Sequence, residues 1–465
     1  MSSNLQDVLS HIDNTIEASA ARLCELLTIP SISTDPAFAP ECRKAAGYMA
    51  DTLNGIGFEA AVRETTGHPM VVGHWTGQAD GVTTALFYGH YDVQPPDPVE
   101  LWDADPFDPQ IKEGANGPMI VARGASDDKG QLMTMVEACR AWVETTGGLP
   151  IPLSILLEGE EESGSTSLAP FLDQHAGELS KDVALVCDTG MWDAETPAIT
   201  TMLRGMVYEE VAVTGPNRDL HSGIYGGAAR NPIRVLSRIL AGLHDPTGHV
   251  KIPGFYDGVE ELDAERRDQW TALGFDAVNF LGGVGLGVPA GESDRSVLEQ
   301  VWARPTADVN GVIGGYTGEG AKTVIPSIAS AKVSFRLVAG QDPDAISTAF
   351  REFVEHRLPA DCSATFQNHG NAPALRISTE NEHLGLARAA LQDEFGRDAA
   401  MIGSGGSIPI VGNFKEQLGM DSLLVGFALD DDNIHSPNEK YNLASYHRGI
   451  RSWARILDRL ARRAS

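Results

Sequence analysis

The chain has 465 residues, 42% of them hydrophobic and 21% charged, which is ordinary for a globular protein with two or three domains and excludes disorder. Its formal net charge of −29 makes nucleic-acid and membrane-surface roles poor expectations, because such a surface repels phosphate and anionic lipid. Five widely spaced cysteines, Cys24, Cys42, Cys139, Cys187 and Cys362, include no C-x-x-C pair, so neither a disulfide framework nor a thiolate zinc site is expected. The first residues lack a basic and then apolar leader, and a cytoplasmic location is the expectation.

In chain order, apolar residues recur at helical spacing from Leu5 to Leu27, ending before Pro30, and again from Cys42 to Leu53 before Gly55 and Gly57. Ala85–Tyr88 is continuously apolar, as a strand buried on both faces would be, and Leu153–Leu157, Val183–Val186 and Ser422–Ala428 repeat the signature. Helical patterns at 130–145, 167–175, 383–395 and 443–461 lie around them. This alternation predicts an α/β fold with a mostly parallel sheet flanked by helices. Between Arg204 and Leu375 the pattern changes. Met206–Thr214 and Ala331–Val338 alternate as half-buried strands do, and Pro232–Leu243 and Pro343–Arg357 read as helices. The expected organisation is a discontinuous catalytic domain, residues 1–203 and 376–465, with an inserted α+β lid or dimerisation domain at 204–375. Residues 251–310 show only weak periodicity and are left unplaced.

The residues immediately after each buried strand carry the chemistry. After the first comes Gly-His90-Tyr-Asp92, after the second Glu158-Gly-Glu160-Glu161-Glu162, after the third Cys187-Asp188, and after the fourth an acidic loop ending at His435. These positions lie just beyond strand C-termini, the edge where open α/β sheets place their sites. Asp127, in a loop leading into a helix, is a fifth candidate. Each piece alone is weak: His11-Ile-Asp13 is a second His-x-Asp, read as a solvated helix face, and adjacent glutamates are ordinarily a charged turn. Together, two histidines and three carboxylates without cysteine suit a pair of divalent ions such as zinc, manganese or cobalt. Asp92 is spaced to accept the second ring N–H of His90, and of two neighbouring glutamates one can ligate while the other stays free as a base.

The segments GHYDVQPP, RGASDDKG, EGEEESGS, VCDTG, DLHSG, GGYTGEGAKTVIP, SFRLVAGQ, GSGGSIP and DDDNIHSPNEKY, in this order, cover nearly the whole chain. They resemble the dinuclear metallopeptidase family of carnosinases, cytosolic non-specific dipeptidases, aminoacylases and glutamate carboxypeptidases. WDADPFDP and HSGIYGGAARNP are most similar to the carnosinase and non-specific dipeptidase branch. The resemblance implies two divalent ions per subunit, zinc above manganese or cobalt: one held by His90 and Asp188, the other by Glu162 and His435, with Asp127 bridging. It implies that Asp92 orients His90, that Glu161 is the general base toward a metal-bridging water, and that a cis peptide follows Asp127. It further implies that His221 stabilises the oxyanion in a partner subunit's site, making a homodimer, and that Thr323, Arg336 and Ser407 hold the substrate's free carboxylate and backbone. Ser404 departs from the pattern, standing where carnosinase-like members often carry an acidic residue. The expected function is hydrolysis of dipeptides with a free C-terminal carboxylate. The alternatives are an N-acyl-amino-acid deacylase, a glutamate-type carboxypeptidase or, in another class, a non-catalytic binding protein, which the full set of ligand and base residues disfavours.

Overall fold

The apolar runs that end in metal-ligand residue types form the middle of one sheet. A computed structural model describes residues 3–76, 82–406 and 408–462. The chain divides into two compact units: one runs to Thr201 and includes Ile377–Met401 and the chain from Asn413 on, the other is Met202–Arg376 with Ile402–Gly412.

In the first unit the strands lie in the order Glu59–Arg63, Met70–Trp75, Leu153–Glu158, Ala85–His90, Val183–Val186, Asp421–Leu424 and Ala198–Leu203, the last two residues of which already count with the second unit. The four from Leu153–Glu158 to Asp421–Leu424 are parallel, and antiparallel strands flank them. Every residue of Ala85–His90, Leu153–Glu158 and Val183–Val186 is buried, because side chains from both faces are covered. Phe87 and Tyr88 point to opposite faces, and their partners show the two covers. Phe87 meets Trp453 of helix Leu443–Leu460 edge-on at 5.9 Å, and Tyr88 meets Phe414 of helix Pro409–Leu418 at 5.9 Å. Helices Ser3–Leu27, Lys129–Thr146 and Leu443–Leu460 pack against one another. Gly57, at φ 115°, ends helix Ala39–Ile56, and it is the second of the two glycines at which the sequence stops that helix.

Two local outcomes depart from the sequence pattern. The Ser422–Ala428 run leaves the ladder after Leu424, and at Gly426 the chain presses on Thr189 so closely that a Cβ would lie 1.8 Å from its carbonyl oxygen. A small antiparallel sheet, Lys440–Asn442, Gly117–Val121 and Gln110–Gly114, was not legible, since its members are short and half-exposed and its third strand comes from far along the chain.

The second unit is built on an antiparallel sheet in the order Thr306–Gly314, Ile328–Leu337, Gly205–Thr214, Ser363–Ala372. Gly205–Thr214 alternates strictly between buried and half-buried positions. Its inward residues Val207, Val211 and Val213 share a core with Val333, Phe335 and residues of helices Pro232–Ala241 and Pro343–Glu355. Ile402–Gly412 belongs to this unit, and Arg204 shows one reason: its backbone N–H reaches the Gly406 carbonyl (3.2 Å) and its Nε the Gly405 carbonyl (3.1 Å). The stretch without clear periodicity holds three short helices, Ala264–Ala272, Ala277–Gly282 and Val297–Trp302. Among the described residues no helix is long and apolar enough to cross a membrane.

Candidate metal centre

Adjacent parallel strands release their chains side by side, and this brings the ligand types together. His90 and Glu158 are partners at the ends of their strands, so the turns after them emerge next to each other. The His90 ring is fully buried, with Nε2 3.1 Å from Asp127 Oδ1. Its Nδ1 lies 3.1 Å from the Asp92 carbonyl and 3.4 Å from the Asp92 carboxylate, so the backbone oxygen of Asp92 is the nearer partner. Asp92 Oδ2 instead accepts the Glu162 N–H at 3.0 Å. One residue thus sets both a ring and the start of the glutamate turn.

The three glutamates diverge. Glu160 turns away, its two oxygens accepting the N–H groups of His68 (2.8 Å) and Ser167 (2.9 Å). Glu162 receives Gln94 Nε2 on Oε2 at 2.8 Å and offers Oε1 to His435 Nε2 at 3.2 Å. The same His435 nitrogen lies 2.9 Å from Asp127 Oδ2. Asn433, His435 and Asn438 all have left-handed backbones, at φ 55°, 60° and 60°, a concentration of uncommon conformations at the loop that presents His435. The Asp127–Asp128 peptide bond is cis.

Two groups of possible ligand atoms result, each mutually within 4.8 Å: His90, Asp127 and Asp188, and Asp127, Glu162 and His435. Asp127 belongs to both. Burial, then the Asp127 charge, pushes Asp188 up to about 8. Burial, then the charges of Glu162 and Asp127 against the opposing pull of His90, pushes Glu161 up to about 7. Hydrogen bonds to Asp127 and Glu162 lift His435 to about 10. Asp127 lies far below the usual carboxylate range, because its bonds with His435 and His90 outweigh burial. Among the described residues, Asp128 Oδ1 and Glu158 Oε1 are buried with no close hydrogen-bond partner, and Asp92 Oδ1 has only the long approach of His90 Nδ1. Carboxyl groups thus crowd the ends of these strands so closely that several are pushed up toward the protonated form, and two imidazoles with three carboxylates fit a pair of divalent cations. A third group, His249, Glu292 and Asp294, is different, since Arg304 Nε (2.6 Å) and Tyr256 (2.8 Å) already occupy the Glu292 carboxylate.

His221, Thr323 and Arg336, also singled out by sequence, lie in the second unit. His221 is exposed, on a two-residue strand paired with Val324–Ile325, and its Nδ1 accepts the Gly223 N–H at 3.0 Å. The Thr323 carbonyl accepts the Ser222 N–H at 3.0 Å, so Thr323 adjoins His221. Arg336 sits half-buried on the sheet face away from the core and has no carboxylate partner among the described residues. Burial and the neighbouring Arg336 charge pull the Arg204 guanidinium down to about 10. Ser407 lies outside the described residues. Sequence reasoning missed Gln94, Arg204 and Glu439, each visible only through a partner distant in sequence.

The fold and the clustered ligand types suit a metal-dependent enzyme. Residues 86–459 match the family model described as Peptidase family M20/M25/M40, and the chain belongs to that peptidase family. It is 29% identical over 476 residues to the Cys-Gly metallodipeptidase dug1 of Schizosaccharomyces pombe, covering 99% of each chain. It is 28% identical over 468 residues to the Beta-Ala-His dipeptidase of Homo sapiens, covering 97% of this chain and 91% of that one. The solved structure of the M20 family metallo-carboxypeptidase Sso-CP2 from Sulfolobus solfataricus is similar at a TM-score of 0.82 and 30% identity, covering 95% of this chain and 99% of that one.

Proposed function

We propose that this chain is a dinuclear metallodipeptidase that cleaves the amide bond of dipeptides bearing a free C-terminal carboxylate. The observation that carries the reading is the membership of Asp127 in both ligand groups, the arrangement that lets one carboxylate serve two ions. His90 and Asp188 would hold one ion and Glu162 and His435 the other, with zinc the expected metal and manganese or cobalt alternatives. When bound, the ions would acidify a water and polarise the scissile carbonyl.

The chain's own residues supply the rest. Asp92 fixes the His90 ring through its carbonyl and, less closely, its carboxylate. Glu161, in neither ligand group, takes a proton from the attacking water and returns it to the leaving amine. His221 donates to the developing oxyanion, reaching the site of a partner subunit in a homodimer. The outer strand Thr306–Gly314 carries exposed Val309, Val312 and Ile313, which suits pairing of two copies. Thr323, Arg336 and Ser407 hold the substrate carboxylate and backbone. Arg336 suits that role, since a guanidinium with no carboxylate of its own among the described residues is available to an anion.

The five free cysteines suit a reducing, cytoplasmic setting. The relatives named as dipeptidases favour the dipeptide reading. The likeness to a metallo-carboxypeptidase gives a second reading, cleavage of a C-terminal residue from longer peptides. A panel of dipeptides, longer peptides, and N-acetyl and N-succinyl amino acids, assayed after chelation and after restoring zinc, manganese or cobalt, tests both. Dipeptide turnover that disappears with the metal and returns with it is expected; undiminished turnover by metal-free protein would refute the proposal.

A further inference from the structure

The loop that carries Asp127 has too few internal partners for its own backbone. Between strand Gly117–Val121 and helix Lys129–Thr146 the chain is almost wholly buried, and no ladder takes the N–H groups of Gly124, Ser126 and Asp127. Buried N–H groups must find acceptors. All three find the same one. Glu439 Oε1 accepts Ser126 N–H (2.8 Å) and Asp127 N–H (3.0 Å), while Oε2 accepts Gly124 N–H (3.0 Å) and Arg123 Nη1 (2.7 Å). Glu439 is itself fully buried. It is delivered by the strand Lys440–Asn442, which pairs with Met119–Val121, and its carbonyl accepts the Ala122 N–H at 3.1 Å.

We propose that Glu439 is the positioning residue for Asp127 and, through it, sets the metal affinity of both ligand groups together. The segment ending at Glu439 grips Asp127 twice: His435 meets the carboxylate at 2.9 Å and Glu439 meets the backbone N–H at 3.0 Å. Asp432, on the same segment and also fully buried, accepts Ser126 Oγ at 3.0 Å and Lys440 Nζ at 2.7 Å. A shift of the loop moves a carboxylate that both groups use, so neither ion escapes the effect. Loss of Glu162 or His435 has no such reach, since each belongs to one group. The inference rests on the dinuclear reading of the site.

The test measures metal content and binding isotherms per folded chain, alongside far-UV circular dichroism and thermal melting. Glu439→Gln places an NH2 group against backbone donors whichever way the amide turns. It is expected to weaken both ions in parallel by about 10–100-fold, the range found for residues that hold ligands in place. Glu439→Asp keeps the charge beside Arg123 but is one methylene too short to span all four donors, and it decides the matter if the glutamine variant does not fold. Arg123→Met removes the charge partner while leaving the three N–H bonds; its melting temperature should fall while its metal isotherm stays that of the wild type. Wild-type binding of both ions by a folded Glu439→Asp or Glu439→Gln chain, loss of one ion alone, or equal loss in Arg123→Met would overturn the proposal. Wild-type protein that saturates with fewer than two ions would instead overturn the dinuclear reading beneath it.

Discussion

Replacing Glu161 by glutamine separates the proposed base from the ligands, and the structure fixes what each outcome means. Glu161 belongs to neither ligand group, and none of its side-chain atoms is a fully buried polar group left without a partner. The isosteric swap removes a charge that burial and its like-charged neighbours already disfavour, so it should not destabilise the fold. A general base contributes about 10²–10⁴-fold, so turnover should fall by that factor, or about 2.7–5.4 kcal/mol of barrier, with metal content unchanged. Glu162→Gln differs at every point. Its two oxygens are committed, one to Gln94 and one to His435, and an amide can serve only one of them as an acceptor. Metal content should drop there before chemistry is considered. Steady-state kinetics with a dipeptide, paired with elemental analysis of gel-filtered protein, reads both variants. A Glu161→Gln chain that loses metal beside a Glu162→Gln chain that keeps it would show the assignment to be wrong by one position.

Asp127→Ala should remove both ions and His435→Ala mainly one, read as metal per chain after dialysis; equal losses would refute the shared carboxylate. Arg336→Met should raise KM for dipeptides by about tenfold or more, the scale of a lost charge-assisted pair, and narrow their advantage over C-terminally amidated substrates. Equal cleavage of free and amidated dipeptides by the wild type would end that role. Mixed His221→Ala and Glu161→Gln chains should regain up to about a quarter of wild-type activity after subunit exchange, because random pairing builds some sites from the two intact residues. An exchanged mixture, verified by mass, that remains inactive would place His221 in its own chain's chemistry or in none.

The middle of the fold was legible because burial on both faces writes itself into sequence as uninterrupted apolar runs, and Ala85–Tyr88, Leu153–Leu157 and Val183–Val186 all lie within parallel strands. The ligand candidates were legible for a related reason. Parallel neighbours end on the same edge, so residues written directly after such runs must meet. Where the partner is remote, the sequence is silent. Glu439 reads as one more acid in an acidic loop, and only the pairing of Lys440–Asn442 with Met119–Val121 turns it onto the Asp127 loop. Gln94 reads as the start of a proline-rich turn, yet its amide is what orients Glu162. The helix Ala277–Gly282 escaped periodicity because its exposed face carries apolar residues, Val278 and Phe280, that confuse inside with outside, and Ala264–Ala272 and Val297–Trp302 are too short to show a period.

Glu160, Glu161 and Glu162 show how far composition can be from role. The three are adjacent, chemically identical and released from the same strand end, and as a bare run they read as a charged turn. The chain turns there through a short 3-10 helix, Glu161–Ser163, that sends successive side chains in different directions. Glu160 meets two backbone N–H groups and is satisfied as a carboxylate without any cation. Glu162 meets an amide on one oxygen and an imidazole on the other, which fixes its plane and turns Oε1 toward Asp127's group. Glu161 has neither kind of partner, and burial among like charges lifts it to about 7. A buried acid whose neighbours supply N–H donors becomes part of the scaffold. One whose neighbours supply other ligand types becomes a candidate ligand. One left without a hydrogen-bond partner, where burial and like charges outweigh the pull of His90, keeps a proton affinity suited to exchange, and it is the carboxylate to test first as the base.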